Sequence, residues 1–381
     1  MPAVKSSIAG QARLLWVDAA KGLGIALVVY GHVARSLVAS LNLGDHTLLS
    51  KIDYVVYTFH MPLFFFLAGI FARRSYDKGQ GAFWTSKFHT IVYPYFLWSI
   101  IQGSLLILFS GFTNSHSSFD RLANILWTPI APFWFFYALF FCHVLFVLSR
   151  RLPPVALLLF ASALFLAGEF YRLEVHDMSV FSSRDRQDAL SPTNPIHEIS
   201  VIPDIARGFL YYAMGVLAAR RLAQPGVPAP RWIVLSALAF AIAATAGLWL
   251  NIGYELNAPA ALLGIAAIVL LCRACSNRLA PIAYLGARSM PIFVMHIAVA
   301  AGVRIILMKL LFVSGLAPNL ISGVLFGLLA PCVAFNLADR LGLAGWLGFT
   351  SLRRNSVGKA PPAKAPPAAI RKITEIAGDV K

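Results

Sequence analysis

Apolar stretches of about twenty residues recur along the chain, at roughly 19–41, 53–72, 90–110, 131–149, 153–170, 205–219, 232–252, 256–272, 288–311 and 319–339. A helix of about 20 apolar residues covers the roughly 30 Å hydrocarbon layer of a bilayer. Ten such stretches exceed what one soluble core can bury. Only 13% of the 381 residues are charged and 59% are hydrophobic, whereas a soluble domain carries about a quarter charged residues. The expected fold class is therefore all-α, a polytopic membrane protein of about ten transmembrane helices. The first stretch follows Lys5 and Arg13. It is too long for a signal-peptide core and no small-residue cleavage site closes it, so it reads as an uncleaved first membrane helix.

The formal net charge of +16 and pI near 10 would suggest nucleic acid in a soluble protein. Here the location of the charges argues otherwise. With ten spans and the N-terminus inside, about 23 of the 32 Lys and Arg fall on the inner side and about 11 of the 16 acidic residues on the outer. The basic balance thus records topology: a multi-pass protein of the inner (plasma) membrane with both termini cytoplasmic, in contact with lipid and not with nucleic acid. Residues 1–18 form a cytoplasmic N-terminus and 19–340 the transmembrane domain. The polar segment at about 171–204, with Ser-Pro-Thr-Asn-Pro at 191–195, reads as the largest external loop. The Pro-, Ala- and Lys-rich stretch 353–381 reads as a disordered cytoplasmic tail. The single CxxC of Cys272 and Cys275 has no second pair, so no disulfide framework and no metal site are expected.

An ionisable side chain inside a span is costly and is a functional hypothesis by default. His32 lies in the first span, eleven residues after Lys21 and fourteen after Asp18. Eleven residues bring a helix back to within about 20° of its starting direction, roughly 16 Å along the axis. Lys21 and Asp18 therefore share the His32 face. His60 sits at similar depth in the second span, which runs the other way, so the two imidazoles are placed to meet. Pro62 frees a backbone carbonyl nearby, as is tolerated where helices line a polar cavity. Arg74, fourteen residues after His60, is expected back on its face at the inner boundary. His296, seven residues after Ser289 in the ninth span, lines the same kind of cavity. His143 reads as structural and His89 as exposed.

Imidazole takes and returns protons near neutral pH. A hydroxyl attacking a thioester needs such a base, together with donors for the developing oxyanion. No GxSxG elbow, P-loop or HExxH is present. A base acting directly on an acceptor hydroxyl fits better than a covalent serine. On the inner rim, Lys21, Arg73, Arg74, Lys87, Arg150, Arg151, Arg220 and Arg221 form a basic ring suited to a phosphate-bearing donor such as acyl-coenzyme A. Gly22 and Gly24 would let a ligand approach the backbone beside Lys21.

The stretch from Asp18 through Lys21-Gly22 to Gly31-His32 resembles the opening of the acyltransferase-3 family of membrane acyltransferases, whose pattern is a basic residue, ten residues, then histidine. Tyr57-Thr-Phe-His60-Met-Pro-Leu-Phe-Phe-Phe-Leu-Ala-Gly69 is similar to the branch containing fucose 4-O-acetylases and related sugar acetyltransferases. Phe133-Trp134-Phe135 and the stretch from Gly286 to His296 resemble two later family segments. The resemblance implies ten helices, a cytoplasmic acyl-coenzyme A donor, an acceptor reached from the membrane or outer side, and His32 as the catalytic residue. Many members carry an Arg-x-x-Arg pair near the third span. Here the region reads Lys87-Phe88-His89-Thr90, so Lys87 replaces part of it.

These readings converge on an O-acyltransferase. Its donor would be acyl-coenzyme A, chiefly acetyl-coenzyme A, as co-substrate with no permanently bound cofactor. Its acceptor would be a glycan or lipid-linked sugar of the cell envelope. The catalytic set is His32 with His60; Lys21, Arg74, Arg73 and Lys87 bind the donor; Asp18, Ser289 and His296 line the cavity. The rival reading is a proton-coupled secondary transporter using the same histidines, against which stands the lack of an internal sequence repeat.

Overall fold

The computed structural model describes residues 2–41, 48–108, 123–175 and 201–349, with side chains from 15–41, 48–108, 123–172 and 201–349. The centre of the 171–204 segment and the 353–381 tail lie outside these residues. All regular elements among the described residues are helical. They are α1 (Pro2–Ser40), α2 (Leu48–Ile70), α3 (Ala72–Tyr76), α4 (Gln80–Lys87), α5 (Tyr93–Leu108), α6 (Trp134–Ser149), α7 (Pro154–Val175), α8 (Ile202–Ala223), α9 (Pro230–Trp249), α10 (Ala258–Ala274), α11 (Ala280–Ala287), α12 (Ser289–Ile305) and α13 (Leu316–Arg340).

Seven helices are long and apolar enough to cross a membrane, and α6 and α10 are shorter apolar helices. The sixth expected span is longer than its apolar stretch suggested. It is the 22-residue α8, whose Asp204, Arg207, Arg220 and Arg221 dilute its hydropathy. Together these give the ten expected helices of a polytopic membrane protein. A tight turn at Tyr254–Leu256 joins α9 to α10. There the Asn257 side chain accepts from the Ala260 N–H at 3.2 Å and donates to the Ala243 carbonyl at 3.1 Å, capping the new helix.

Helix α1 is the axis of the fold, packing against α2, α10, α11, α12 and α13. In lipid no hydrophobic force drives helices together, so close packing of small residues does much of the work. Two glycine crossings show this. A Cβ on Gly22 would stand 2.0 Å from the Ile282 carbonyl oxygen, and one on Gly286 would stand 1.7 Å from that of Asp18. At the α2–α8 crossing, a Cβ on Gly69 would lie 2.0 Å from the Tyr212 oxygen, and one on Gly215 2.1 Å from that of Phe66. Gly22 therefore serves the α1–α11 contact, correcting the expectation that it opens the backbone to a ligand. Gly24 faces the Phe64 ring at 3.0 Å, which likewise fills the space expected for one.

The third span is longer than expected. Helices α4 and α5 are joined by a π-helical turn, Phe88–Val92, into one rod spanning Gln80–Leu108. Pro94 has no N–H to give to the preceding turn, and the Tyr93 N–H bonds back to the Phe88 carbonyl. The second helix, by contrast, stops early. It ends at Ile70, and Phe71 separates it from the five-residue α3. Arg74 therefore does not continue the His60 stripe of α2. It lies exposed on α3 beside Arg73.

Candidate active site

His32 lies on α1, seventeen residues after Leu15, and is half-buried. The imidazole that meets it belongs to His296 of α12, with ring centroids 5.1 Å apart and planes tilted by 56°. His296 is wholly buried, at 0% exposure. Its Nδ1 donates to the carbonyls of Phe293 at 2.7 Å and Ile292 at 3.1 Å. A carbonyl only accepts, so Nδ1 carries the hydrogen and Nε2 keeps its lone pair.

His60 lies within electrostatic reach of His32, but its ring packs edge-on to Tyr57, with centroids at 4.5 Å. It is 1% exposed, and its Nδ1 donates to the Val56 carbonyl at 2.7 Å. The two histidines expected to pair thus share one neighbourhood, while the ring facing His32 is His296. A wall of aromatic rings backs the site. Phe135 and Phe136 pack on Phe293, with centroids at 5.6 and 5.0 Å, and Phe293 packs on His296 at 6.1 Å. Phe64 and Phe65 of α2 reach Phe135 from the other side. The Phe133–Phe136 segment therefore backs the His296 ring through Phe293.

Toward the Ser40 end of α1 the site is polar. Arg35, three residues after His32 and on its face, makes a bidentate bridge to Asp53 of α2, with bonds of 2.8 and 3.0 Å. Its guanidinium lies 3.2 Å from the Tyr57 ring centroid and 5.6 Å from that of Tyr254. Arg304 of α12 ties this end together, bonding the Ser36 carbonyl at 3.2 Å, the Ser36 hydroxyl, and the Ser40 hydroxyl at 2.8 Å. Neither Arg35 nor Asp53 was among the expected site residues. The signal was present, an arginine inside an apolar span one helical turn from His32.

The remaining expected residues lie at the other end of α1 or beyond it. Asp18 and Lys21 are half-buried and interact with each other, fourteen and eleven residues before His32. Lys87 is half-buried with its Nζ 5.1 Å from the Phe83 ring centroid. It lies within electrostatic reach of His143, which is buried and bonded to the Tyr212 hydroxyl at 2.5 Å. Arg73, Arg74 and His89 are exposed. Ser289 opens α12 two turns before His296 and is half-buried. No group of three or more His, Cys, Asp or Glu that could hold a metal occurs among the described residues.

Sequence reasoning also missed a buried ionic network behind the site. Arg172 bonds Glu169 at 2.9 Å. Arg207 bonds Glu169 at 2.9 Å and Asp204 at 3.2 Å, and both arginines lie 3.5 Å from Glu255. Arg172 and Asp204 were expected in an external loop, but here they are buried on α7 and α8.

A family model described as an acyltransferase domain, that of the acyltransferase-3 family, matches residues 14–337. No curated protein and no solved structure matches the chain. The family match takes in every helix that carries a site residue, from the α1 turn holding Asp18 and Lys21, through α2 and α4, to α12 with its buried His296. The chain therefore belongs to the acyltransferase-3 family and is a multi-pass membrane acyltransferase.

Proposed function

We propose that this acyltransferase moves an acetyl group from acetyl-coenzyme A to a hydroxyl of a cell-envelope glycan or lipid-linked sugar, with His32 as the general base. The observation that carries this reading is the placement of His32. It is half-buried at a polar, aromatic-walled centre, on the same helix face as Lys21 roughly 16 Å away. An extended pantetheine arm spans that separation, with its phosphates at the Lys21 end and its thioester at His32. Lys21 and the half-buried Lys87 hold the phosphates, with the exposed Arg73 and Arg74 drawing the anion in.

The acceptor hydroxyl loses its proton to His32 as its oxygen attacks the thioester carbonyl carbon. The tetrahedral intermediate then collapses and the carbon–sulfur bond breaks. The imidazolium returns the proton to the thiolate, giving an ester and free coenzyme A. Beyond His32, the Arg35–Asp53 pair beside the Tyr57 and Tyr254 rings supports a sugar acceptor, since aromatic faces stack on pyranose rings and paired charges bind their hydroxyls. The Tyr57–Gly69 stretch supports the fucose 4-O-acetylase-like branch. In this reading the Lys21 end faces the cytoplasm of an inner-membrane protein and the Arg35 end faces outward.

The test is release of free coenzyme A by purified protein in nanodiscs, given acetyl-coenzyme A and an extract of envelope glycans. Release that needs the extract and vanishes in His32→Ala is expected. Undiminished release by a folded His32→Ala variant, or solute uptake without thioester consumption, would overturn the proposal.

A further inference from the structure

The structure assigns His296 the part of positioning residue for His32: its Nε2 accepts the N–H of His32, fixing which nitrogen of His32 meets the acceptor hydroxyl. The inference rests on His32 being the base and goes beyond that reading to a second imidazole.

The first ground is hydrogen-bond accounting. His296 is 0% exposed, and Nδ1 is saturated by two backbone carbonyls of its own helix, so the tautomer is locked. Nε2 is buried and has no hydrogen-bond partner. A buried acceptor without a donor is costly, and a histidine kept only for packing would be replaced at no loss by an apolar ring. The second ground is position. The ring of His32 stands beside that of His296, at a centroid distance of 5.1 Å. With one nitrogen of each ring turned onto the line of centres, that separation would bring them to roughly 3 Å, which is hydrogen-bond range.

The planes are tilted by 56° and no bond yet joins them. A turn of the His32 ring toward His296 closes it, as catalytic hydrogen bonds commonly do when substrate docks. The same logic governs the carboxylate that orients the histidine of a serine-protease triad. A neutral imidazole does less to stabilise the imidazolium but likewise fixes one tautomer. The backing rings Phe293, Phe135 and Phe136 hold His296 in place.

Two variants separate this role from packing. His296→Phe keeps a buried ring and removes the acceptor. His296→Gln keeps an acceptor oxygen near the position of Nε2. In the coenzyme A release assay, His296→Phe is expected to lose about 100-fold or more in kcat while the KM for acetyl-coenzyme A stays within about 3-fold. His296→Gln is expected to keep most of the rate.

A second readout does not depend on turnover. In protein labelled with nitrogen-15 at histidine and loaded with acetyl-coenzyme A, His32 should show one tautomer in the wild type and a mixture in His296→Phe. A folded His296→Phe variant with wild-type kcat would overturn the assignment. So would equal losses in both variants that track their melting temperatures, or an unchanged His32 tautomer. If the wild type releases no coenzyme A while the tautomer responds as expected, the proposed reaction fails and the positioning contact stands.

Discussion

Replacing Gly22 with alanine tests the packing that places His32. The new Cβ would stand 2.0 Å from the Ile282 carbonyl oxygen and 2.8 Å from its carbonyl carbon. Reaching even 3.0 Å requires the α1 and α11 backbones to part by about 1 Å, and backbone cannot swing aside as a side chain can. Overpacking of this kind costs about 1–3 kcal/mol, and the rigid neighbour puts Gly22→Ala at the upper end. For a chain of this length that corresponds to a fall in Tm on the order of 4 °C. Gly286→Ala strains the same crossing from the other side, at 1.7 Å from the Asp18 oxygen. The double variant should therefore cost less than the sum of the two, because one separation relieves both clashes. Gly302→Ala is the control: nothing lies within 4 Å of its Cβ, and alanine in a helix interior gains about 1 kcal/mol. The buried free thiols Cys142, Cys272 and Cys332 provide the assay, since a thiol-reactive dye reads their exposure on heating in detergent. A Gly22→Ala variant with wild-type Tm and a raised KM for acetyl-coenzyme A would refute the reasoning. It would show that Gly22 faces the donor and not α11.

Three further outcomes are expected. Arg207→Ala removes one of the two cations of the buried network, leaving Arg172 alone to face Glu169 and Glu255, and should cost about 3–5 kcal/mol; a Tm within a degree of wild type would refute the network's structural weight. Asp53→Asn removes the bidentate partner of Arg35 and should raise the KM for the glycan acceptor without changing that for acetyl-coenzyme A; equal changes in both would place the pair outside the acceptor site. Lys87→Gln should weaken acetyl-coenzyme A binding on the order of 10-fold at both low and high salt, whereas the effect of Arg74→Gln on its exposed helix should fade in high salt; matching salt responses would contradict the difference in burial.

The spans were legible because lipid imposes a length and a composition that no other environment demands. His32 and His296 were legible for the related reason that an imidazole in an apolar span needs a cause. The misreadings share a different origin. Helix α8 reads as short because Asp204 and Arg207 look like surface charges until Glu169 and Glu255, from other segments, are seen against them. The stripe from His60 to Arg74 assumes an unbroken helix, and a single residue, Phe71, interrupts it. Gly22 looks like an opening because periodicity identifies a helix face without saying what covers it.

By itself the sequence determined the all-helical membrane architecture and the helix face that His32 shares with Lys21, since these follow from hydropathy and the helical repeat along one segment. Only the tertiary structure decided that His296 meets His32, that Arg35 pairs with Asp53 and that Glu169, Arg172 and Asp204 are buried. Such pairings depend on which helices cross and in what register, and that is set by contacts such as Gly22 on Ile282 between segments far apart in the chain.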